Sequence, residues 1–515
     1  MIWATPLFLI LAAASVAYIS PWGQFPLNDD GYYTQNVLET LAAGKFVVSA
    51  GQYAYAIPQV LLGLLVVGPE EEPFVRLRGI GIVSGILAAL LVVQLVAKAT
   101  HQKRPLTAIL GTLSTFFFLP YFQTSLSFMT DIPAFLLWVM SVWTLILFFE
   151  KRTLPRWSFA MLVNAVAVSE RQLAILIPFS MVLAENTDFR PSQKLKGMTE
   201  VLKRSYPVIL FVVPLLLIQW WWMQISPLKA PDSSFSPNPG IFVRASRQLI
   251  YLGWTAIPFL FIPLERGSPL ASKKIFKRLL LGFALGLVLH VGNWFFVGSH
   301  LLPPFYGNVL DSVGILPILL SGSPEVIFST AFRWLLLFLG FIGALRILWG
   351  LSLVVEDSKN NKWVQVILWS SASYFIFICF RGTQFDRYFI PVLPLSLLCL
   401  LKTCSPSRLS LGRATGTSLA CFAYLAFSVT MVSDFFRWNE ARREAVEFAF
   451  SKGLSPKDLC AGWEHKEWYK TKDQECVYTI SFSELPDHMT ERLFSYSSIW
   501  GSHQRHLYFL KKVKN

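Results

Sequence analysis

Charged residues are scarce in this chain of 515 residues, and signatures of nucleotide binding are missing. Only 15% of the residues are charged, 54% are hydrophobic, and the mean hydropathy is +0.50. This composition excludes an ordinary soluble protein and indicates a polytopic membrane protein. The sequence has no P-loop and no GxGxxG motif, which disfavours an ATP-driven transporter. It also shows no internal repeat and no low-complexity linker.

Cysteine is equally rare, and its spacing offers no zinc site. None of the six cysteines belongs to a CxxC pair. Four lie in or beside apolar segments, where we expect them to act as small core residues. The other two, Cys460 and Cys476, lie in a polar tail and can form one disulfide if that tail is in an oxidising compartment.

Acidic residues are outnumbered, with 31 Asp and Glu against 45 Lys and Arg and a net charge of +14. Residues 433–515 are nearly balanced, because they hold 13 basic and 12 acidic residues. The excess of positive charge therefore lies in the apolar part, where basic residues cluster in short loops. That distribution is typical of membrane orientation signals and argues against nucleic acid as a partner.

Thirteen apolar segments are candidate membrane spans. They fall at about 2–20, 79–97, 106–122, 128–149, 156–169, 172–184, 206–225, 248–264, 279–297, 327–350, 363–380, 388–401 and 414–432. The first lacks a basic n-region and a clear cleavage site, so we expect it to be a retained anchor. Loops on one side hold 21 Lys and Arg and those on the other hold 9, which predicts a cytoplasmic N-terminus and an extracytoplasmic C-terminus. One alternative stays open, because residues 156–184 can form two spans or one.

The predicted fold is an all-α polytopic membrane domain over residues 1–432, with about 13 transmembrane helices and additional external juxtamembrane helices. Its first external loop covers residues 21–78. Residues 433–515 predict a small α/β domain, with a polar helix followed by three runs of alternating hydrophobicity. We expect this domain to pack on the external face of the membrane part, since so few residues are marginal alone.

The most informative polar stretch is Leu-Asn-Asp-Asp-Gly-Tyr-Tyr at residues 27–33, directly after the first span. Asn28 or Asp29 can cap an amphipathic helix that lies at the membrane surface and ends at Gly44. An equally simple interpretation is that Asp29 and Asp30 only cap this helix and favour its positive dipole end.

Further polar residues occupy span ends on the same predicted face. Asp131 opens the fourth segment next to Thr130, Glu170 and Arg171 separate the fifth and sixth, and the twelfth is preceded by Arg381, Asp386, Arg387 and Tyr388. A planar guanidinium binds phosphate through two hydrogen bonds, and an ionised carboxylate can remove a proton from a nucleophile. Structural alternatives remain: Asp131 as a helix cap, Arg171 as the counter-ion of Glu170, and Asp386 with Arg387 as markers of the membrane boundary.

These motifs resemble those of the GT-C type membrane glycosyltransferases, in the branch of protein O-mannosyltransferases and lipid A aminoarabinose transferases. Residues 29–33, with Gly44 downstream, are similar to the Asp-Glu-x-x-Tyr element of that branch. Residues 128–133 resemble its Thr-Asp-x-Pro element, and residues 387–391 its Arg-Tyr-x-x-Pro stretch. The resemblance covers residues 1 to about 400 in architecture.

The resemblance implies transfer of a sugar from a polyprenyl-phosphate donor to an acceptor hydroxyl on the extracytoplasmic face of a bacterial inner or plasma membrane. Asp29 would be the general base, and Asp30 and Asp131 would support it or bind the acceptor. The resemblance implies Tyr33, Arg171 and Arg387 as residues that bind the donor. Arg381 and Tyr388 lie on the same predicted face and are further candidates for donor binding. No metal cofactor is required by these residues, although some members of the wider class use a divalent cation. The acceptor can be a protein, a lipid or a glycan.

The sequence departs from this pattern at two places. The Lys-Pro-Pro element of the aminoarabinose transferases is absent, and Tyr-Ala-Ile-Pro stands at residues 55–58 instead. The arginine that these transferases have just before the tyrosine is replaced by Tyr32. The cation that binds the donor phosphate therefore cannot be transferred from that relative. Two rival functions stay open: a lipid-linked sugar transporter or flippase, and a polymerase or ligase of cell-surface glycans.

Overall fold

The computed structural model describes most of the chain. The described residues are 4–48, 54–68, 73–101, 105–185, 205–206, 208–209, 212–221, 224, 240–264, 270–297, 302–305, 309–315, 320–381, 385–404, 410–471, 476–501 and 504–513. Helices dominate this part, and a small sheet lies near the C-terminus. This architecture confirms the predicted fold class, a helical membrane protein with a small α/β region at its end.

The helices of the membrane part are numbered in chain order. They are α1 (Ala4–Ile19), α2 (Asp30–Ala43), α3 (Ile57–Val66), α4 (Pro73–Thr100), α5 (Pro105–Phe116), α6 (Leu119–Ser125), α7 (Asp131–Glu150), α8 (Leu154–Glu170), α9 (Leu176–Glu185), α10 (Val212–Trp221), α11 (Gly240–Gly253), α12 (Leu270–Val297), α13 (Thr330–Asp357), α14 (Lys362–Phe380), α15 (Leu393–Thr403) and α16 (Leu411–Ser451). Three 3-10 turns separate neighbouring helices, at Gln172–Ile175, Trp254–Phe259 and Asp386–Val392.

Six of the described helices are long and apolar enough to cross a membrane: α4, α7, α12, α13, α14 and α16. The predicted span at 106–122 is not one straight helix, because α5 and α6 meet at a bend of 70°. Pro120 lies in the first turn of α6, where a proline is tolerated but cannot continue a preceding helix. Counting α5 and α6 as one span gives seven, so the figure of about 13 stays a prediction. Residues 156–184 form two helices, α8 and α9, joined by a single 3-10 turn.

The surface helix predicted after the first segment is present as α2. It ends at Gly44, which adopts the left-handed conformation (φ 61°) that glycine favours at a helix C-terminus. Asp29 occupies the N-cap position, but its side chain makes no capping hydrogen bond. The interpretation of Asp29 as a capping residue is therefore wrong, and its carboxylate is available for other partners.

The C-terminal region contains a four-stranded sheet and a short helix. Its elements are β3 (Leu459–Cys460), α17 (Trp463–Trp468), β4 (Tyr478–Ser481), β5 (His488–Ser497) and β6 (Gln504–Lys512), in the order β3-β4-β6-β5. Two short strands of the membrane part, β1 (Leu310–Asp311) and β2 (Gly314–Ile315), pair with each other. The predicted disulfide joins Cys460 to Cys476 across a Cα–Cα distance of 5.6 Å.

The helix α16 connects the membrane part to the sheet. It runs for 41 residues through position 433, where the sequence predicts a domain boundary, so that boundary stays a prediction. Its first half contacts α1, α5 and α6, and it also packs against β5 and β6. A continuous helix shared by both regions restricts their relative movement.

Close packing of α11 on α13 depends on two glycines. A Cβ atom at Gly343 would overlap the backbone of Gly253, and one at Gly253 would overlap the carbonyl oxygen of Gly340. Small residues at a helix crossing allow the two backbones to approach closely in a membrane protein.

We therefore expect Gly343→Ala to destabilise the protein. The added methyl group must push two helix backbones apart, and overpacking of this kind costs about 1–3 kcal/mol. Thermal unfolding in detergent measures the effect. Gly282→Ala on α12 is the matched control, since a Cβ there meets no atom within 4 Å. Equal melting temperatures for the two variants would contradict the proposed role of the crossing.

Candidate active site

Four charged side chains from distant parts of the sequence meet in one group, called here the acid–arginine cluster. Nη2 of Arg387 lies 2.8 Å from Oδ2 of Asp29, and Nε of Arg387 lies 3.9 Å from Oδ2 of Asp131. Nη1 of Arg171 lies 2.5 Å from Oδ1 of Asp131. Arg387 thus bridges two carboxylates, and Arg171 completes the chain of alternating charges.

Helix ends place these four residues. Asp29 precedes α2, Asp131 opens α7, Arg171 directly follows α8, and Arg387 lies in the 3-10 turn before α15. Carboxylates are stabilised at helix N-termini and a guanidinium at a helix C-terminus, because the backbone dipoles expose opposite partial charges there. The local folding therefore favours the charges of Asp29, Asp131 and Arg171, whereas Arg387, near the N-terminal end of its 3-10 turn, relies on its carboxylate partners.

The three predicted acids differ in how far their side chains are exposed to solvent. The side chain of Asp29 is 29% exposed, whereas that of Asp131 is 4% exposed and that of Asp30 is fully buried. A group that exchanges a proton with a substrate must be reached by that substrate. Within this motif Asp29 has the best access to solvent.

Asp30 has a different set of partners. Its carboxylate lies 3.5 Å from Nε of Arg78 and accepts a hydrogen bond from the backbone N–H of Leu27. Burial raises the pKa of Asp30 to about 7, although Arg78 opposes the shift. The catalytic role predicted for Asp30 has no geometric support, since its known contacts belong to the packing of the loop before α2. The sequence offers no signal for Arg78, whose guanidinium also binds the carbonyl oxygens of Pro21, Gly23 and Phe25.

Two aromatic rings extend the cluster. Two cations contact the ring of Tyr388: the guanidinium carbon of Arg171 lies 5.8 Å and that of Arg381 5.4 Å from its centroid. Cations above aromatic faces are stabilised electrostatically. Among the described residues, Arg381 has no carboxylate within ion-pair distance, unlike Arg171 and Arg387. It is therefore the arginine of this group whose charge remains available to an anionic ligand.

Tyr33 contacts the cluster from α2. Its hydroxyl accepts a hydrogen bond of 3.4 Å from Oγ1 of Thr130. Burial, reinforced by Asp29, raises the pKa of Tyr33 well above its ordinary value. The phenol therefore remains protonated and keeps a hydrogen-bond donor beside the carboxylates.

A small cavity adjoins the cluster. It measures about 20 Å³ and is lined by Asp131, Arg171, Arg387 and the rings of Trp138 and Tyr374, among other residues. This is room for about one water molecule, so a sugar phosphate requires the exposed side of the cluster or a rearrangement of the walls.

The other predicted charges near this face support the backbone. Asp386 accepts hydrogen bonds from the N–H groups of Val309 (2.9 Å) and Leu310 (2.8 Å), and burial raises its pKa to about 6. Oε2 of Glu170 accepts from the N–H of Gln59 at 3.0 Å. The suggested pairing of Arg171 with Glu170 is replaced by the ion pair of Arg171 with Asp131.

In the part of the chain that the structure describes, no three His, Cys, Asp or Glu side chains are grouped so that they could hold a metal ion.

An ion pair in the C-terminal region holds the loop that carries Asp29. Oε1 of Glu464 accepts from the N–H of Asn28 at 3.1 Å, and Oε2 pairs with Nη1 of Arg442 at 2.8 Å. Nη2 of Arg442 donates to the carbonyl oxygen of Pro26 at 3.0 Å. Sequence reasoning missed this pair, because Glu464 is more than 430 positions from the loop that it binds.

Comparison with protein families supports the resemblance drawn from the motifs. Residues 56–222 match the family described as dolichyl-phosphate-mannose-protein mannosyltransferase. An uncharacterised protein of Aquifex aeolicus is 40% identical over 91 residues, a stretch that covers 16% of this chain and 22% of that protein. The matched region thus spans about a fifth of that relative.

Two solved structures are similar to the whole chain. ArnT from Cupriavidus metallidurans in the apo state gives a TM-score of 0.47 at 12% identity, over 90% of this chain and 84% of that one. The same protein bound to undecaprenyl phosphate gives a TM-score of 0.48 at 11% identity, over 98% of this chain and 97% of that one.

The long apolar helices and the family match together define the class of the molecule as an integral membrane protein. The family match confirms the resemblance to the GT-C type membrane glycosyltransferases and supports a glycosyltransferase activity in general terms.

The buried pair of Glu464 and Arg442 yields a prediction about stability. We expect Glu464→Gln to lower the melting temperature, because Arg442 is then left as an uncompensated buried charge, a loss of about 3–5 kcal/mol. Glu447→Gln is the matched control. It removes one partner of a pair with Arg443 in which the Glu447 side chain is 59% exposed, and such surface pairs contribute about 0–1 kcal/mol. Thermal unfolding of both variants tests this, and an equal effect would show that the buried pair does not stabilise the loop.

Proposed function

We propose that the protein is a glycosyltransferase that moves a sugar from a polyprenyl-phosphate-linked donor to an acceptor hydroxyl on the extracytoplasmic face of the membrane. The observation that carries the proposal is the acid–arginine cluster, which combines a solvent-accessible carboxylate with several guanidinium groups. The family match over residues 56–222 supports the same donor class, because its description names a dolichyl-phosphate-linked sugar.

Asp29 acts as the general base in this proposal. Its carboxylate takes the proton of the acceptor hydroxyl while the oxygen attacks the anomeric carbon. The bond between that carbon and the phosphate oxygen breaks, and the lipid phosphate leaves with the electron pair. Attack opposite the leaving group inverts the anomeric centre. The ion pair with Arg387 fixes the position of this carboxylate.

Asp131 positions the two arginines. It binds Arg171 and lies beside Arg387, and its side chain is almost completely buried. A carboxylate shared by two guanidinium groups fixes both of them before the substrate arrives. Preorganised donors of this kind stabilise charge that develops on a leaving group without reorganising during the reaction.

Arg381 binds the donor phosphate in this arrangement, with Arg171 and Tyr388 beside it. The two acids and two arginines of the cluster balance in charge, so Arg381 supplies the positive excess for a phosphate. Its guanidinium carbon lies 5.4 Å from the centroid of the Tyr388 ring. A guanidinium fork also matches the geometry of phosphate oxygens.

Charge distribution and redox chemistry support an extracytoplasmic position of the site. Basic residues are concentrated in the loops on the opposite side, which are cytoplasmic by the positive-inside rule. The disulfide between Cys460 and Cys476 is consistent with an oxidising compartment for the tail. A bacterial inner or plasma membrane satisfies both conditions.

Replacing the proposed base gives the most direct test. We expect Asp29→Asn to reduce sugar transfer by about 10²–10⁴-fold while the protein still folds, because the amide cannot accept the proton. Mass spectrometry of lipids that co-purify with the protein first identifies the donor, and transfer of its labelled sugar in membranes is then measured. Glu39→Gln is the matched control, since this acid lies on the same helix in an exposed pair with Lys470.

Retained transfer by the folded Asp29→Asn variant would exclude Asp29 as the base. Movement of the lipid-linked sugar across reconstituted vesicles without any transfer would instead support a transporter or flippase.

Arg381 provides a separate test of donor binding. We expect Arg381→Ala to raise the KM for the lipid donor and to lower the amount of polyprenyl phosphate that co-purifies. Arg381→Lys should fall between the wild type and Arg381→Ala, because it keeps the charge but loses the two-pronged geometry. Arg437→Ala on α16, whose guanidinium hydrogen-bonds Ser497 rather than the acid–arginine cluster, is the control. An unchanged KM for Arg381→Ala would assign the phosphate to another cation.

A further inference from the structure

A larger cavity lies at the junction of the C-terminal region and the membrane part. It measures about 480 Å³ and is lined by residues of α16, α17, the start of α4 and the loop before α2. We call it the α17 pocket. Its lining includes Pro26, Arg442, Phe450, His465, Trp468 and Tyr469. Its volume lies in the range of small-molecule sites, and no member of the acid–arginine cluster lines it.

Aromatic rings form much of its wall. Trp468 and Tyr469 are adjacent in sequence at the end of α17, and Tyr469 is 40% exposed. The ring of Tyr469 lies 4.7 Å from that of His465 and 5.6 Å from that of Phe450. Exposed aromatic faces of this kind suit the apolar C–H face of a sugar ring, whose hydroxyl rim then needs hydrogen bonds from the surrounding polar groups.

His465 supplies such a polar group. Only 6% of the residue is exposed, and its Nε2 atom has no hydrogen-bond partner among the described residues. A buried polar atom without a partner is destabilising, so a ligand hydroxyl that forms a hydrogen bond with it would be stabilising. Burial, assisted by Arg442, lowers the pKa of His465 to about 4. The imidazole is neutral near pH 7, which suits an uncharged partner.

The charges that line the pocket are already neutralised. Arg442 pairs with Glu464, and Arg443 pairs with Glu440 and Glu447. With three carboxylates against two guanidinium groups, these ion pairs leave no excess positive charge to recognise a phosphate or a carboxylate. A neutral ligand therefore fits the pocket better than an anion does.

The pocket shares a hydrogen-bond network with the loop of the proposed base. Arg442 lines it and donates to the carbonyl oxygen of Pro26. Glu464, the partner of Arg442, accepts from the N–H of Asn28, the residue before Asp29. A ligand in the pocket thus lies against the same segment that carries the carboxylate.

We propose that the α17 pocket is a subsite for a neutral sugar ring of the acceptor, so that the acceptor is a glycan or a glycosylated molecule. This inference rests on the proposed function, because it assigns the acceptor class of the same reaction. His465 donates or accepts a hydrogen bond to a hydroxyl of the ring, and Tyr469 with Trp468 packs against its apolar face.

Saturation-transfer difference NMR on the full-length protein in detergent tests the subsite, with the methyl glycosides of glucose, mannose and galactose as probes. We expect at least one of these probes to bind. Tyr469→Ala and His465→Gln should each weaken its binding by about tenfold or more. The matched controls are Tyr508→Ala and His506→Gln, which change the same residue types on β6 outside the pocket and should leave binding intact.

Asp29→Asn separates this proposal from the proposed function. It should retain binding of the probe while losing sugar transfer. A signal that is lost in Asp29→Asn but kept in folded Tyr469→Ala would place the sugar at the acid–arginine cluster and overturn the α17 subsite. The absence of binding by all three glycosides would overturn it as well, and so would equal competition by phenol, which has no hydroxyl rim. The melting temperature of each variant shows whether a loss of binding reflects unfolding.

Discussion

The contact of Arg387 with two carboxylates is the interaction on which the arrangement of the site depends. A charge removed from water is stable only if a partner and further hydrogen bonds compensate it. Arg387 is almost completely buried, and it joins Asp29, at the start of α2, to Asp131, at the start of α7. Each of these side chains would be costly alone. Together they bind the ends of three separate segments into one structure.

The need to compensate buried charge also explains how the C-terminal region holds the loop that carries Asp29. Glu464 is buried and contacts both Arg442 and the backbone of Asn28. The short helix that carries Glu464 follows Cys460, which the disulfide joins to Cys476. The long helix α16 supplies Arg442 and is continuous with the membrane part. The loop of the proposed base is therefore held from two directions, by the membrane helices through Arg387 and by the C-terminal region through Glu464.

Sequence reasoning identified the residues of the cluster because they share a local signal. Asp29, Asp131 and Arg387 each lie at the end of an apolar segment, where charged residues are unusual enough to be noticed. The surface helix, the strands of the tail and the disulfide were also accessible, since each depends on nearby residues. The sequence did not identify Arg78, Arg442 and Glu464, because each binds backbone groups that are distant in sequence. The bend between α5 and α6 was not predicted for a different reason. Hydropathy averaged over a window of residues stays high across a proline, although the proline interrupts the helix.

Asp29 and Asp30 are adjacent in the sequence motif, but the structure gives them different partners. Adjacent carboxylates suggest a pair acting together, because one should influence the titration of the other. On a helix, however, neighbouring side chains point about 100° apart, so consecutive residues face different surroundings. Asp29 faces Arg387 and solvent, while Asp30 faces Arg78 inside the protein. The ion pair of Asp30 and Arg78 anchors the loop from within, and this anchoring leaves Asp29 at the surface of the cluster.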